Sequence, residues 1–306
     1  MPVSKPLISE IAGRTLKVTN LDKVLYPDVG FTKANLIEYY VTVAPVMLTH
    51  IANRGLTFKR WPDGVRSEPF FNKRAPDHRP DWLETCRGPG DKGRGIDYPM
   101  LNEVAALAWA ANLAALEIHS PMARCHDIES PAILVFDLDP GEPASIIEAA
   151  QIALSIKPIL DSVGLESFGK TSGSKGLQLY VPLNTTHSHQ HAQEFALAVA
   201  QLLEKQQPDA VTSNMAKAQR PGKIFIDWSQ NSRHKTTIAP YSLRGRNVPT
   251  VSTPISWDEM GDCADGQYLS FEAADVMERV DALGDIFEPV ATLKQELPVP
   301  KQGAST

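Results

Sequence analysis

Cysteine is scarce in this chain of 306 residues: there are three, Cys86, Cys125 and Cys263, and no two form a CxxC pair. An odd number at wide spacing argues against a disulfide framework and against a structural zinc site, so reduced thiols are expected. Long hydrophobic runs are also missing. The longest, Val104 to Leu116, is broken by Asn112 and is shorter than the roughly 20 residues that span a bilayer. No apolar stretch follows Met1 to Lys5, so no secretory leader is expected and the cytoplasm is the default location. Aromatic residues make up only 7%, but 42% hydrophobic and 22% charged residues fall in the ordinary globular range and exclude a disordered or collagenous chain. Internal repeats are absent. The length suits two domains or one large α/β domain.

Basic residues are in the minority, with a formal net charge of -6, which taken alone argues against a polyanionic partner. The distribution reverses that argument. Between Lys217 and Arg246 stand seven basic residues (Lys217, Arg220, Lys223, Arg233, Lys235, Arg244, Arg246) and one acid, Asp227. Between Asp258 and Glu288 stand ten acids against Arg279 alone, so the C-terminal part makes the sum negative while a basic surface persists elsewhere.

Several elements can be read directly. Leu16 to Val18 is a short strand, and Thr32 is placed to cap a helix whose apolar face is Leu36, Tyr39, Tyr40, Val43, Val46 and Met47, with a kink or break expected at Pro45. Thr57 to Trp61 and Phe70-Phe71 read as a hairpin around Pro62-Asp63-Gly64. Cys86 to Gly95 holds four glycines and a proline and is expected to be an exposed loop. A helix over Val104 to Ala115 precedes a strand at Leu116 to His119. The continuous apolar run Ala132 to Phe136 predicts a central strand covered on both faces. Helices at Ala144 to Val163 and His189 to Glu204 flank a strand at Leu177 to Val181, and Lys223 to Ile226 is one further strand. Glu288 to Thr306, with three prolines, reads as a terminal arm or linker, leaving 1–290 as a single domain and 291–306 as the arm.

Gly164 to Thr171 matches the phosphate-loop pattern G-x-x-x-x-G-K-[ST] letter for letter, but in the wrong context. A phosphate loop leaves a strand and opens a helix, whose free N–H groups hold the phosphates; here a helix precedes and a strand follows.

Asp137 and Asp139 close the apolar strand, and side chains two apart on a strand share a face. Converging carboxylates raise each other's pKa or recruit a hard divalent cation. Asp227, ending the strand Ile224 to Ile226, is a candidate third carboxylate for a two-metal site performing phosphoryl transfer. A pair of turn or cap aspartates is the alternative. Phosphatases with an aspartate nucleophile also end strands this way, but a Thr or Val usually follows the second Asp, where this chain has Pro140. Around the acids, Thr171 to Gly176 combines hydroxyls, glycines and Lys175, as suits a loop approaching a triphosphate. Lys59, Arg60, Arg244 and Arg246 add phosphate donors.

These segments add up to a resemblance. Asn20 to Pro27, Lys59 to Gly64 with Phe70-Phe71, Ala115 to His119, Val135 to Gly141, Thr171 to Leu179 and Lys235 to Arg246 resemble the polymerase domain of bacterial ligase D, over about Thr15 to Glu259. That family is the primase-polymerase of non-homologous end joining, in the archaeo-eukaryotic primase superfamily. The resemblance implies an α/β (α+β) fold with a central mixed or antiparallel sheet flanked by helices and no zinc module. It implies a template-directed nucleotidyltransferase that fills gaps and extends DNA ends, prefers ribonucleotides and uses two ions, Mn(II) or Mg(II). Asp137, Asp139 and Asp227 then match the catalytic metal ligands. Lys59, Ser172, Lys175 and Arg244 match the triphosphate contacts, and His119 resembles the sugar-contacting histidine. Asn20, Lys23 and Lys33 match a pocket for a DNA 5'-phosphate, Phe70 and Phe71 the pair that stacks on the template, and Arg220 an arginine near the primer terminus. Gapped or 3'-overhanging DNA, NTP or dNTP, Ku and a DNA ligase are the implied partners, at the bacterial nucleoid and not at a membrane. The segment from Cys86 to Gly95 departs from the family pattern. A non-catalytic DNA-end bridging module and a stand-alone excision-repair gap-filling polymerase are the alternatives, and the complete carboxylate triad argues against the first.

Overall fold

In the computed structural model, which describes residues 7–90 and 94–298, the apolar run becomes the strand Ile133–Pro140. It is third in a six-stranded sheet ordered Val211–Thr212, Ile224–Asp227, Ile133–Pro140, Leu177–Pro182, Phe168–Thr171 and Pro254–Ile255. All neighbours run antiparallel except the first two, which are parallel, so the sheet is mixed as expected. Leu134, Phe136 and Leu138 pack with residues of the helices Ile146–Asp161 and His189–Gln206 on one face. Ile133 and Val135 pack with Met122, Tyr180 and Phe287 on the other. Alternation along the strand therefore delivers Asp137 and Asp139 to the Val135 face. Truncating Phe136, which is fully buried, to alanine would cost about 3–5 kcal/mol.

A second, four-stranded sheet has the order Thr236–Ile238, Ala115–Pro121, Thr57–Arg60 and Phe70–Asn72, the last two forming the expected hairpin. The helix Lys33–Ile51 packs in the core beside it. Thr32 caps this helix through Asn35 N–H at 3.3 Å, while Asn35 Oδ1 accepts from Thr32 N–H at 3.0 Å. Of the kink or break expected at Pro45, the break does not occur: the helix is continuous. Tyr39 and Tyr40 donate to the Tyr241 and Leu116 carbonyls at 2.8 and 2.7 Å, and this tertiary anchoring of a buried face outweighs the loss of one backbone donor.

Two sequence expectations fail. Residues 86–88 are not loop but part of the strand Thr85–Gly88, paired antiparallel with Ile96–Pro99, and 91–93 lie outside the described residues. Cys86 is also not a free thiol: it is bonded to Cys125, with the Cα atoms 5.9 Å apart, leaving Cys263 as the buried free cysteine. The two are 39 residues apart in sequence and are brought together only by tertiary packing, where Cys125 N–H donates to the Asn53 carbonyl at 2.7 Å. The segment read as an arm is held to the domain as far as Pro298. Val290 and Leu297 are buried, and Gln295 Nε2 donates to the Glu166 and Pro182 carbonyls at 3.0 and 2.9 Å. The remaining residues, 299–306, lie outside the described ones. Among the described residues no helix is long and apolar enough to cross a membrane.

Candidate active site

Strand register places Asp137 between Gln178 on one neighbouring strand and Asp227 on the other. Gln178 Nε2 donates to Asp137 Oδ1 at 3.0 Å. Burial first, then the Asp139 charge and, less, that of Asp227, raise the Asp137 pKa to about 7 against the Gln178 hydrogen bond. Asp139 reaches solvent at the mouth of the cleft. Its pKa is also raised, first by desolvation of its carboxyl group and then by Asp227, with Arg220 and Arg244 opposing. Both aspartates line a cleft of about 410 Å³ together with His119, Ser172, Lys175, Arg220 and Arg244. Gly176 lets the 172–176 loop close on the acidic strand: a Cβ there would lie 2.2 Å from the Leu138 carbonyl oxygen.

Asp227, the third expected ligand, has its carboxylate engaged by Ser229. Its Oδ1 accepts from Ser229 N–H at 3.0 Å and Ser229 Oγ at 2.5 Å, capping the short turn Trp228–Asn231, and it does not line the cleft. Among the described residues no group of three or more His, Cys, Asp or Glu is arranged to hold a metal. The donor chemistry nevertheless fits a hard divalent cation. Asp137 and Asp139 are oxygen ligands with raised pKa values, so a bound cation would relieve their repulsion, and rotation of Asp227 off Ser229 would supply a third.

Opposite the acids, Glu117 organises the basic wall. It is 3% exposed. Its Oε2 lies 2.8 Å from His119 Nε2, and its Oε1 accepts from Gly245 N–H at 3.1 Å and lies 3.4 Å from Arg244 Nε. Burial works to raise the Glu117 pKa, but the His119 hydrogen bond and the Arg244, His119 and Lys59 charges hold it at about 2. Lys59 stands opposite Glu117 in the sheet register but outside the cleft lining, its Nζ 4.9 Å from the Trp61 ring centre and 5.5 Å from that of Phe71. Ser172 Oγ accepts from the Ser174 and Gly176 N–H groups at 3.2 Å, Lys175 pairs with Glu142, and Arg246 donates to Ser174 Oγ.

The remaining expected residues fall in two places. Phe70 and Phe71 are exposed, and the Phe71 ring lies 6.0 Å from that of His119, at the edge of the cleft. Arg220 lines the cleft, its guanidinium 3.7 Å from the Phe225 ring centre and donating to the Met215 carbonyl at 2.9 Å. Asn20, Lys23 and Lys33 gather apart from it: Lys23 N–H donates to the Asn20 carbonyl at 3.0 Å and Lys33 N–H to the Lys23 carbonyl at 2.9 Å. Lys33 Nζ, nearly buried, donates to the Thr19 carbonyl at 2.8 Å, and burial together with the Lys23 and Arg60 charges lowers its pKa to about 8. Lys23 Nζ pairs with Asp63 Oδ1 at 2.6 Å.

Sequence reading overlooked three residues. Glu117 was accessible, since it is two positions before His119 on one strand and therefore shares its face. Gln178 and the fully buried Lys170, whose Nζ donates to Ser252 Oγ at 2.5 Å beside Asp137, depend on cross-strand register and carry no local signal.

The chain and its fold are similar to those of known proteins. The family model described as LigD, primase-polymerase domain matches residues 32–287. The multifunctional non-homologous end joining protein LigD of Mycolicibacterium smegmatis is 46% identical over 278 residues, covering 90% of this chain and 36% of that protein. The bifunctional LigD of Bacillus subtilis is 33% identical over 246 residues, covering 80% of this chain and 39% of that one. The chain thus spans a little over a third of the length of these curated relatives. Among solved structures, the polymerase domain of Mycobacterium tuberculosis ligase D in complex with DNA superposes with a TM-score of 0.86 at 42% identity, covering 92% of this chain and 99% of that one.

Proposed function

The chain belongs to the LigD primase-polymerase family, and we propose that it adds nucleotides, ribonucleotides by preference, to DNA 3' ends opposite a template during gap filling and end joining. One observation carries this reading: two carboxylates with raised pKa values face Arg220 and Arg244 across a single cleft. That is the charge layout a divalent cation and a triphosphate require together.

Asp137 and Asp139 would hold the cations, Mn(II) or Mg(II), with Asp227 a third oxygen ligand if turned from Ser229. Two bound ions would favour the deprotonated 3'-hydroxyl and offset the charge that leaves with pyrophosphate. Arg244, Lys175, Ser172 and Lys59 orient the triphosphate. His119, steadied by Glu117, meets the sugar 2'-hydroxyl. Phe70 and Phe71 stack on the template base, Arg220 contacts the primer terminus, and Asn20, Lys23 and Lys33 take the 5'-phosphate across a gap. Gapped and 3'-overhanging DNA are the substrates, with Ku and a ligase as partners in a bacterial cytoplasm and residues 1–290 as one catalytic domain. The test is primer extension on 5'-phosphorylated gapped DNA with each nucleotide class and either ion. Template-dependent addition is expected, and none with any combination would refute the reading.

A further inference from the structure

Beside the catalytic cleft lies a second cavity of about 300 Å³, and Thr236 lines both. Its lining includes Lys73, Arg124, Arg233, His234 and Lys235 and, among the described residues, no Asp or Glu. Arg124 is partly engaged, donating to Asn184 Oδ1 at 2.8 Å, and Arg233 pairs with Glu129 outside the cavity. The strand Phe70–Asn72, with its two exposed aromatic rings, runs directly into Lys73. Cys86 and Cys125, bonded to each other, also line it. The catalytic reading uses Phe70 and Phe71 but none of the cavity's basic residues. The volume is at the lower end of the roughly 300–1,000 Å³ typical of ligand pockets. A concave wall of one charge sign concentrates polyanions there.

We propose that this cavity grips the phosphodiester backbone of the unpaired template strand beyond Phe70 and Phe71, and that the Cys86–Cys125 bridge fixes its wall, so that the grip follows thiol redox state. The identity of the strand rests on the polymerase reading above. The bridge ties the strand Thr85–Gly88 to the segment after Ala123–Arg124, so its cleavage frees one wall of the cavity from the wall that carries Arg124. Cys125 is only half-buried, within reach of a small dithiol. A reductant thiolate attacks one sulfur to give a mixed disulfide, and its second thiol then closes on the first. The reductant leaves as a disulfide, and its two electrons and two protons remain on Cys86 and Cys125 as thiols. In a reducing compartment such a bond is more often a sensor than a staple.

The experiment compares the oxidised protein, the dithiol-reduced protein, and the variants Cys86→Ser/Cys125→Ser and Arg233→Gln/Lys235→Gln. Each is titrated, by anisotropy, with one gapped DNA whose gap is a single nucleotide and one whose unpaired template extends about ten nucleotides. Thiol counting on the unfolded chain should give one free thiol in the oxidised protein and three in the reduced. Arg233→Gln/Lys235→Gln should bind the long template about tenfold more weakly and lower the salt slope by about 1.4, two phosphate contacts at ~0.7 each. Reduction and Cys86→Ser/Cys125→Ser should weaken the same substrate about threefold. All forms should bind the single-nucleotide gap alike and extend it at the wild-type rate. Three thiols under oxidising conditions, or equal affinity in oxidised and reduced forms, overturns the redox-set wall. Unchanged long-template binding by Arg233→Gln/Lys235→Gln, or an equal loss on both substrates, overturns the grip. Absence of extension by every form, with selective long-template binding intact, would count against the polymerase reading and not against the cavity.

Discussion

Asp137 lines the cleft and Glu117 is buried behind its lining residues His119 and Arg244, and their proton affinities move in opposite directions, to about 7 and about 2. Both are shielded from water, which alone would raise either pKa. The difference lies in their neighbours. Glu117 has His119, Arg244 and the Gly245 N–H around it, whereas Asp137 has one amide donor, two further aspartates and only the buried Lys170, whose own pKa burial lowers, to oppose them. A carboxylate satisfied by the protein's own groups is scaffolding. One left with uncompensated charge suits something brought in, and in the proposed function the acidic wall carries the chemistry and the basic wall holds the nucleotide.

The strongest way to break the comparison is to remove the unsatisfied side. Asp137→Ala or Asp139→Ala should reduce nucleotide addition at least about 10³-fold, the equivalent of some 4 kcal/mol of transition-state stabilisation. Affinity for gapped DNA, measured by anisotropy, should stay within about twofold of wild type, because the basic residues that bind it are untouched. Substantial extension by either variant would falsify the assignment of these aspartates to catalysis.

A smaller effect separates both walls from the third cluster. Lys23→Ala/Lys33→Ala should abolish a preference of about tenfold for 5'-phosphorylated over dephosphorylated gaps, while the rate on saturating substrate changes little. In the wild type that preference should also shrink as pH rises through about 8, where Lys33 loses its proton. Equal binding of the two gaps by the wild-type protein would remove the pocket from consideration.

The two walls should also answer pH in separate windows in the metal-free protein. Asp137 binds its proton more tightly folded than unfolded, so its contribution to stability is full below the ordinary carboxylate value near 3.8 and is lost as pH rises to about 7. Glu117 has the opposite sign: its contribution is full above about 4.5 and is lost as pH falls toward about 2. Thermal melts should therefore show a decline between pH 5 and 7.5 that Asp137→Asn flattens and Glu117→Gln leaves in place. Added Mn(II) or Mg(II) should reverse the decline. A slope that persists in Asp137→Asn would assign it to other groups.

Much of this contrast was legible in the residues themselves. Alternation along one apolar strand placed Asp137 and Asp139 on one face, and the same rule applied to Ala115–Pro121 would have joined Glu117 to His119. What could not be read is whatever depends on pairing between distant segments. Gln178 reaches Asp137 through strand register, the conformation of Asp227 is decided by Ser229 competing for its carboxylate, and Cys86 meets Cys125 only after two separate strand pairs have packed. Pro45 shows the converse, a local rule overridden because buried tyrosines anchor the helix on its core side.

The smallest effect concerns the sugar, and it tests whether the satisfied wall does more than hold its shape. His119 Nε2 is committed to Glu117, which orients the ring and leaves the other nitrogen, Nδ1, to reach a 2'-hydroxyl. One neutral hydrogen bond is worth about 0.5–1.5 kcal/mol, or roughly a two- to tenfold preference for ribonucleotides over deoxyribonucleotides. His119→Ala should erase that ratio. Glu117→Gln keeps the side-chain shape but removes the charge that fixes the ring, so it should lower the ratio too. It should also raise the KM for both nucleotide classes, since Arg244 loses its buried partner. Ratios of kcat/KM measured with matched ribo- and deoxyribonucleotides decide the matter. If His119→Ala leaves the ratio unchanged, the histidine is packing, and Glu117 serves Arg244 alone.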